Sequence, residues 1–125
     1  MQNNAPILDC DNDTVQWSEL EAKKVLVGKY RDCDKARSSL IAAFDFDYTL
    51  VCTKSGKTYP TDGGDWKLLD SRLPKYIASL VQKGYRFVII SNQGGIAKGN
   101  TSVNDVKKRF SESVKTLGAP CMVLI

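Results

Sequence analysis

The apolar run LIAAFDF at 40–46 contains Asp45 and leads directly into Asp47, two carboxylates where a buried strand normally admits none. An unpaired ionised aspartate in apolar surroundings is costly, so such a pair either caps the turn at a strand end or does chemistry. Thr49 adds a hydroxyl just beyond them. A second β-rich run, YRFVIIS at 85–91, ends on Ser91 and continues into Asn92, Gln93 and a glycine-rich loop. The chemistry this set supports is displacement at phosphorus: one carboxylate attacks to give an acyl phosphate, and the other protonates the leaving oxygen and then activates water. A magnesium ion bridging nucleophile and phosphate would offset the repulsion between charges, and donors from Ser91 and its loop would hold the phosphoryl oxygens.

For these groups to meet, the two runs must be neighbouring strands. LIAAFDF reads as a strand buried on both faces, and YRFVIIS as a second. Between Cys52 and Asp70, Gly56, Pro60, Gly63 and Gly64 interrupt β-forming residues and predict a loop or hairpin insertion. Leu73, Ile77, Leu80 and Val81 repeat at helical spacing, with Ser71 as N-cap, Pro74 in the first turn and Gly84 past the end. Val103, Val106, Phe110, Val114 and Leu117 mark a second amphipathic helix, capped near Thr101 or Ser102 and stopped by Gly118. CMVLI at 121–125 opens a third strand. Strand, insertion, helix, strand, helix, strand predicts a parallel α/β sheet with right-handed crossovers. Ligands of such sheets lie beyond the carboxyl ends of the strands, where Asp45, Asp47 and Ser91 fall, on strands about 4.8 Å apart if adjacent. Ahead of this unit at 41–125, residues 1–16 read as a flexible tail and 17–40 as a lead-in outside the core.

Composition narrows the mechanism. The 125 residues suit one domain, and no apolar run approaches the roughly 20 residues of a membrane span. The chain has no histidine, which excludes an imidazole base, a Ser-His or Cys-His nucleophile pair and a histidine-ligated metal. Cys10, Cys33, Cys52 and Cys121 form no CxxC pair and read as free thiols; with no secretory leader visible, a reducing nuclear or cytoplasmic compartment is expected. Residues 1–40 carry a net charge of −1 and 41–125 a net +5, an excess that favours a polyanionic partner such as nucleic acid.

DFDYTL at 45–50 resembles the first motif, DxDGT, of the haloacid dehalogenase (HAD) superfamily of aspartate-dependent phosphatases. VIISNQGGIAKG at 88–99 resembles its second motif in the TNQxGIxRG form. The stretch from Thr53 to Gln93 is similar to the phosphatase domain of the polynucleotide kinase 3′-phosphatase family, which reads TxSGKxFP, then DW, then GYxxVIxTNQ. WSELEAKKVLV at 17–27 resembles the lead-in of those proteins. The resemblance implies an α/β, HAD-like, Rossmann-type three-layer sandwich with a parallel sheet, here incomplete, with three core strands plus a flap insertion. It implies Asp45 as nucleophile, Asp47 as general acid and base, and Mg²⁺ bound by Asp45 and the backbone carbonyl of Asp47. Thr49, Ser91, Asn92 and Gln93 would line the phosphate site, with Lys54, Lys57 and Lys98 at its mouth. The implied reaction is hydrolysis of 3′-phosphates at DNA ends during strand-break repair, with DNA and repair proteins as partners and the nucleus as the favoured location. Asp65 and Trp66 match the DW element, where Trp66 reads as a packed ring ahead of a stacking one.

The sequence departs from the pattern in two places. Tyr48 replaces the glycine of DxDGT, which matters if that position needs a positive φ. The chain ends at Ile125, before the third-motif lysine and fourth-motif acidic residues, which implies a fragment or truncated product with VLI as an exposed edge strand. SGKT at 55–58 is not a P-loop, because Val51 stands where that motif needs glycine. Two alternatives stand beside this reading. One is a small-molecule phosphatase of the histidinol or heptose bisphosphate type, whose Cys/His zinc loop has no counterpart here. The other is a non-catalytic module that binds DNA ends or a repair partner.

Overall fold

The β-branched and aromatic residues of IAAF, RFVII and CMVL pair as predicted. In a computed structural model describing residues 13–20, 25–33, 38–97, 99 and 101–125, they form β3 (Ile41–Phe44), β6 (Arg86–Ile90) and β7 (Cys121–Leu124), paired in parallel. Two further strands, β1 (Val15–Leu20) and β2 (Val25–Tyr30), extend the sheet antiparallel beyond β7. The spatial order is β1-β2-β7-β6-β3, so the fold is mixed α/β with a mixed five-stranded sheet. The insertion is a small antiparallel ladder of β4 (Val51–Cys52) and β5 (Lys67–Leu68) with the loop between them. Helices α1 (Leu73–Gln82), α2 (Gly94–Ala97) and α3 (Val103–Leu117) follow, and among the described residues no helix is long and apolar enough to cross a membrane.

Several expectations are corrected. The lead-in is not outside the core: Tyr30 is 1% exposed within the main cluster, and Val15 and Trp17 pack against it. Val15 and Gln16 open β1 rather than closing a tail, whereas residues 1–12 lie outside the described residues. VLI is not an edge, because β2 covers β7 with the register Val27 opposite Leu124. The edges are β1 and β3, and the edge position of β3 leaves Ile41 56% exposed and makes the strand half-buried, not buried on both faces. The three parallel strands hold as expected, but a parallel sheet throughout does not.

Local signals explain the helices. Ser102 caps α3, its side chain accepting from the backbone N–H groups of Asn104 (3.1 Å) and Asp105 (3.4 Å). Gly118 ends it at φ 81°, a left-handed conformation that glycine adopts without a Cβ penalty. α1 takes Pro74 in its first turn, but Ser71 is not its cap. Arg72 stands at that position in helical conformation, and Asp70 accepts from its backbone N–H at 2.8 Å and grips its guanidinium. The apolar stripe of α3 then packs on the sheet, with the Phe110 ring stacked on Phe46 at 3.8 Å between centroids.

Candidate functional site

The motif turn is anchored by Phe46, whose ring is fully buried and whose carbonyl accepts from the N–H groups of Leu50 (2.9 Å), Thr49 (3.2 Å) and Val51 (3.3 Å). Tyr48 closes the turn by donating its N–H to the Val51 carbonyl at 2.7 Å, with φ at 59°. The position occupied by glycine in DxDGT therefore does require left-handed backbone. Because Phe46 points into the core, Asp45 and Asp47 are held on either side of it at the carboxyl end of β3. The neighbouring β6, with Ile89 opposite Phe44, delivers Ser91 to the same end.

Asp45 is exposed, and its Oδ1 accepts from the Phe46 N–H at 2.8 Å. Asp47 sits deeper. Its Oδ1 accepts from Arg109 Nη1 at 2.6 Å and its Oδ2 from Gln93 Nε2 at 2.8 Å. Gln93 Nε2 also donates to Ser91 Oγ at 2.9 Å, while Gln93 Oε1 accepts from Arg109 Nη2 at 3.0 Å. The network joins the ends of β3 and β6 to α3. Arg109 is 4% exposed, with its guanidinium carbon 5.3 Å from the Phe46 ring centroid and 5.6 Å from that of Phe110. A buried guanidinium needs partners, and the forked donors of arginine serve Asp47 and Gln93 together.

Asp47, Tyr48, Thr53, Asn92, Gln93 and Arg109 are among the residues lining a cavity of about 850 Å³. Asp45, Thr49, Ser91, Lys54 and Lys57 are not on its walls. Thr49 is exposed, with its backbone committed to the turn. Ser91 is buried behind Gln93. Lys54 and Lys57 are exposed on the flap, and Lys98 lies outside the described residues. Asp47, Asn92 and Gln93 are thus the expected site residues that the structure brings into the cavity.

The flap is held by polar contacts. Asp65 is buried, and its carboxylate accepts from the Ser55 N–H (2.8 Å) and hydroxyl (2.7 Å) and from the Thr61 N–H (2.9 Å) and hydroxyl (3.2 Å). The Ser55 hydroxyl, then the Thr61 amide, hold this carboxyl well below the usual carboxylate range. Gly63 lets the flap approach α3: a Cβ there would lie 2.9 Å from the Asp105 carbonyl oxygen. Trp66 packs against the core and donates Nε1–H to Glu112 Oε1 at 2.9 Å, which supports the packed reading of that ring.

No group of three or more His, Cys, Asp or Glu side chains able to hold a metal occurs among the described residues. The donors that fit a magnesium ion are hard oxygens, the exposed Asp45 carboxylate and the Asp47 carbonyl, with waters completing the shell as magnesium prefers. The Asp47 carboxylate is already engaged by Arg109 and Gln93.

Asp65 was visible in the sequence as half of the DW element, but not as a flap anchor. Arg109 was not singled out at all, although a signal existed. It falls on the same face as Val106, Phe110, Ser113 and Val114, and a charge within an apolar stripe needs a buried partner.

Residues 40–125 match the family described as polynucleotide kinase 3 phosphatase. A bifunctional polynucleotide phosphatase/kinase of Schizosaccharomyces pombe is 28% identical over 109 residues, covering 87% of this chain and 26% of the relative. Polynucleotide 3′-phosphatase ZDP of Arabidopsis thaliana is 32% identical over 99 residues, covering 76% of this chain and 14% of the relative. A putative bifunctional polynucleotide phosphatase/kinase of Acanthamoeba polyphaga mimivirus is 33% identical over 85 residues, covering 66% of this chain and 18% of the relative. The chain therefore spans about a quarter or less of these three relatives.

Proposed function

We propose, from the premise that this chain belongs to the polynucleotide kinase 3 phosphatase family, that it carries the nucleophile and acid–base half of a site hydrolysing 3′-phosphates at DNA ends. The observation that carries this reading is the pair of aspartates at the strand end. Asp45 is exposed for attack, and Asp47 is oriented beside it by Arg109 and Gln93 on a cavity wall.

In the first step an Asp45 carboxylate oxygen forms a bond to phosphorus as the bond from phosphorus to the 3′ oxygen breaks, and that oxygen takes a proton from the Asp47 carboxylic acid. In the second step water attacks the aspartyl phosphate, its proton passes to Asp47, and inorganic phosphate leaves with the Asp45 carboxylate restored. Asn92 offers an amide donor to the phosphoryl oxygens from the cavity wall, and Gln93 lines the same wall with its two side-chain amide hydrogens given to Asp47 and Ser91. Thr49 and Ser91 support the site from behind, through the motif turn and Gln93. Mg²⁺ bound by Asp45 and the Asp47 carbonyl would supply charge neutralisation at the phosphoryl group. Lys54 and Lys57, with the positive excess of 41–125, would meet backbone phosphates of the strand. The parallel β3-β6-β7 trio with a flap after the first strand supports a HAD-like architecture. A nuclear or cytoplasmic setting agrees with action on DNA ends.

The test is release of inorganic phosphate from a 3′-phosphorylated oligonucleotide in Mg²⁺. Release by the parent chain and its loss in Asp45→Ala are expected. Release that persists unchanged in Asp45→Ala overturns the assignment. Failure to release phosphate while a 3′-phosphorylated end is still bound points to a binding module instead.

A further inference from the structure

We propose that the Tyr48 ring is the platform on which the terminal nucleobase of a 3′-phosphorylated strand stacks, an inference that rests on the polynucleotide reading above. Tyr48 follows Asp47 directly, lines the same cavity, and is 54% exposed, so the ring is not a core residue. It occupies a left-handed backbone position that glycine would take without strain, and a bulky side chain there carries a conformational cost. The ring does not hang free. Its hydroxyl donates to the Thr58 carbonyl at 2.6 Å, which fixes the ring between the motif turn and the flap.

A fixed aromatic ring, open to solvent and next to the carboxylate that handles the leaving 3′ oxygen, matches the flat, apolar face that every base presents one sugar away from that oxygen. Stacking of this kind discriminates a base from its absence and tolerates any sequence. Tyr59, 80% exposed and lining the same cavity, offers a second ring on the flap. The cost of placing tyrosine in the turn is thus matched by a contact that glycine cannot make.

Two strands separate the possibilities, one ending in 2-aminopurine nucleotide 3′-phosphate and the other in an abasic 3′-phosphate, titrated without divalent metal so that turnover does not interfere. The base-bearing end is expected to bind about 5- to 150-fold tighter than the abasic one, with quenching of the 2-aminopurine. Tyr48→Leu should remove most of that ratio, and Tyr48→Phe, which loses the clasp but keeps the ring, should retain it. Equal binding of both ends by the parent chain, no binding of either, or an equal loss in the Leu and Phe variants overturns the proposal. A matching strand ending in a 3′-hydroxyl separates the two readings. Base preference without phosphate preference strikes the phosphatase reading and leaves stacking intact, and the reverse strikes stacking alone.

Discussion

Replacing Arg109 with methionine removes the guanidinium but keeps a flexible stem against Phe46 and Phe110, which isolates the polar work of the side chain. Two bonds are lost, one of 2.6 Å to the Asp47 carboxylate and one of 3.0 Å to Gln93. A hydrogen bond to a charged group contributes about 1.5–3 kcal/mol net, and a neutral acceptor less. Two effects reduce the loss. The Asp47 side chain is 39% exposed, so water takes over part of the solvation, and the Arg109 side chain, 5% exposed, no longer has to be desolvated. A net destabilisation of about 1–2 kcal/mol remains, or roughly 4–8 °C in Tm for a domain of this size. Urea denaturation of the parent, Arg109→Met, Asp47→Ala and the double variant closes a thermodynamic cycle whose coupling should be about 1–2 kcal/mol. Because Asp47 then loses its fixed orientation, phosphate release should fall in kcat more than KM changes. A coupling below about 0.5 kcal/mol, or a methionine variant as stable as the parent, refutes the argument that Arg109 is held in place by Asp47.

Asp65→Asn should destabilise the chain in a pH-dependent way. The carboxyl is held below its usual 3.8, so its contribution is complete above about pH 4 and is lost as pH falls toward the depressed value. The stability gap between parent and variant should therefore narrow progressively on acidification from about pH 5 to pH 2, and a gap constant with pH contradicts it. Gly118→Ala places a Cβ at φ 81° and should cost about 1 kcal/mol, read as a drop of roughly 4 °C in Tm. No change in Tm would show that the end of α3 can re-form without a left-handed residue.

The parallel strands, α3 with both its ends, and the aspartates at a strand end were legible because each is written in consecutive residues: alternating or continuous apolar runs, a capping serine, a stop glycine. β1 and β2 were not. VQWSEL reads as half-polar, and its burial comes from a partner, since Trp17 lies across Gly28, where an added Cβ would come within 2.9 Å of the ring. No local pattern announces a glycine on one strand matched to a tryptophan on the next. The same holds at the site. DxD and SNQ identify the residues at the strand ends, but the pairing of Asp47 with Arg109 spans 62 positions and depends on how α3 seats against the sheet. Ser71 was a sound cap candidate, but the N-cap position falls on Arg72, held there by Asp70, which binds both its backbone N–H and its guanidinium.

The two walls of the cavity are held by different physics. On the sheet side the anchors are apolar and fully buried, Phe46 on Phe110 with Leu50, Val51 and Ile89 around them, and the polar groups of the network are tied to that core. On the flap side the ladder is two residues long on each strand, and the loop is secured by Asp65, by Thr53 donating to the Lys57 carbonyl at 2.6 Å, and by the Tyr48 hydroxyl. Apolar burial is indifferent to pH, whereas the Asp65 cluster depends on an ionised carboxylate. Tyr48 belongs to both walls, with its backbone in the turn and its hydroxyl on the flap, so the ring proposed to meet the base is the point at which flap position and catalytic geometry are mechanically joined.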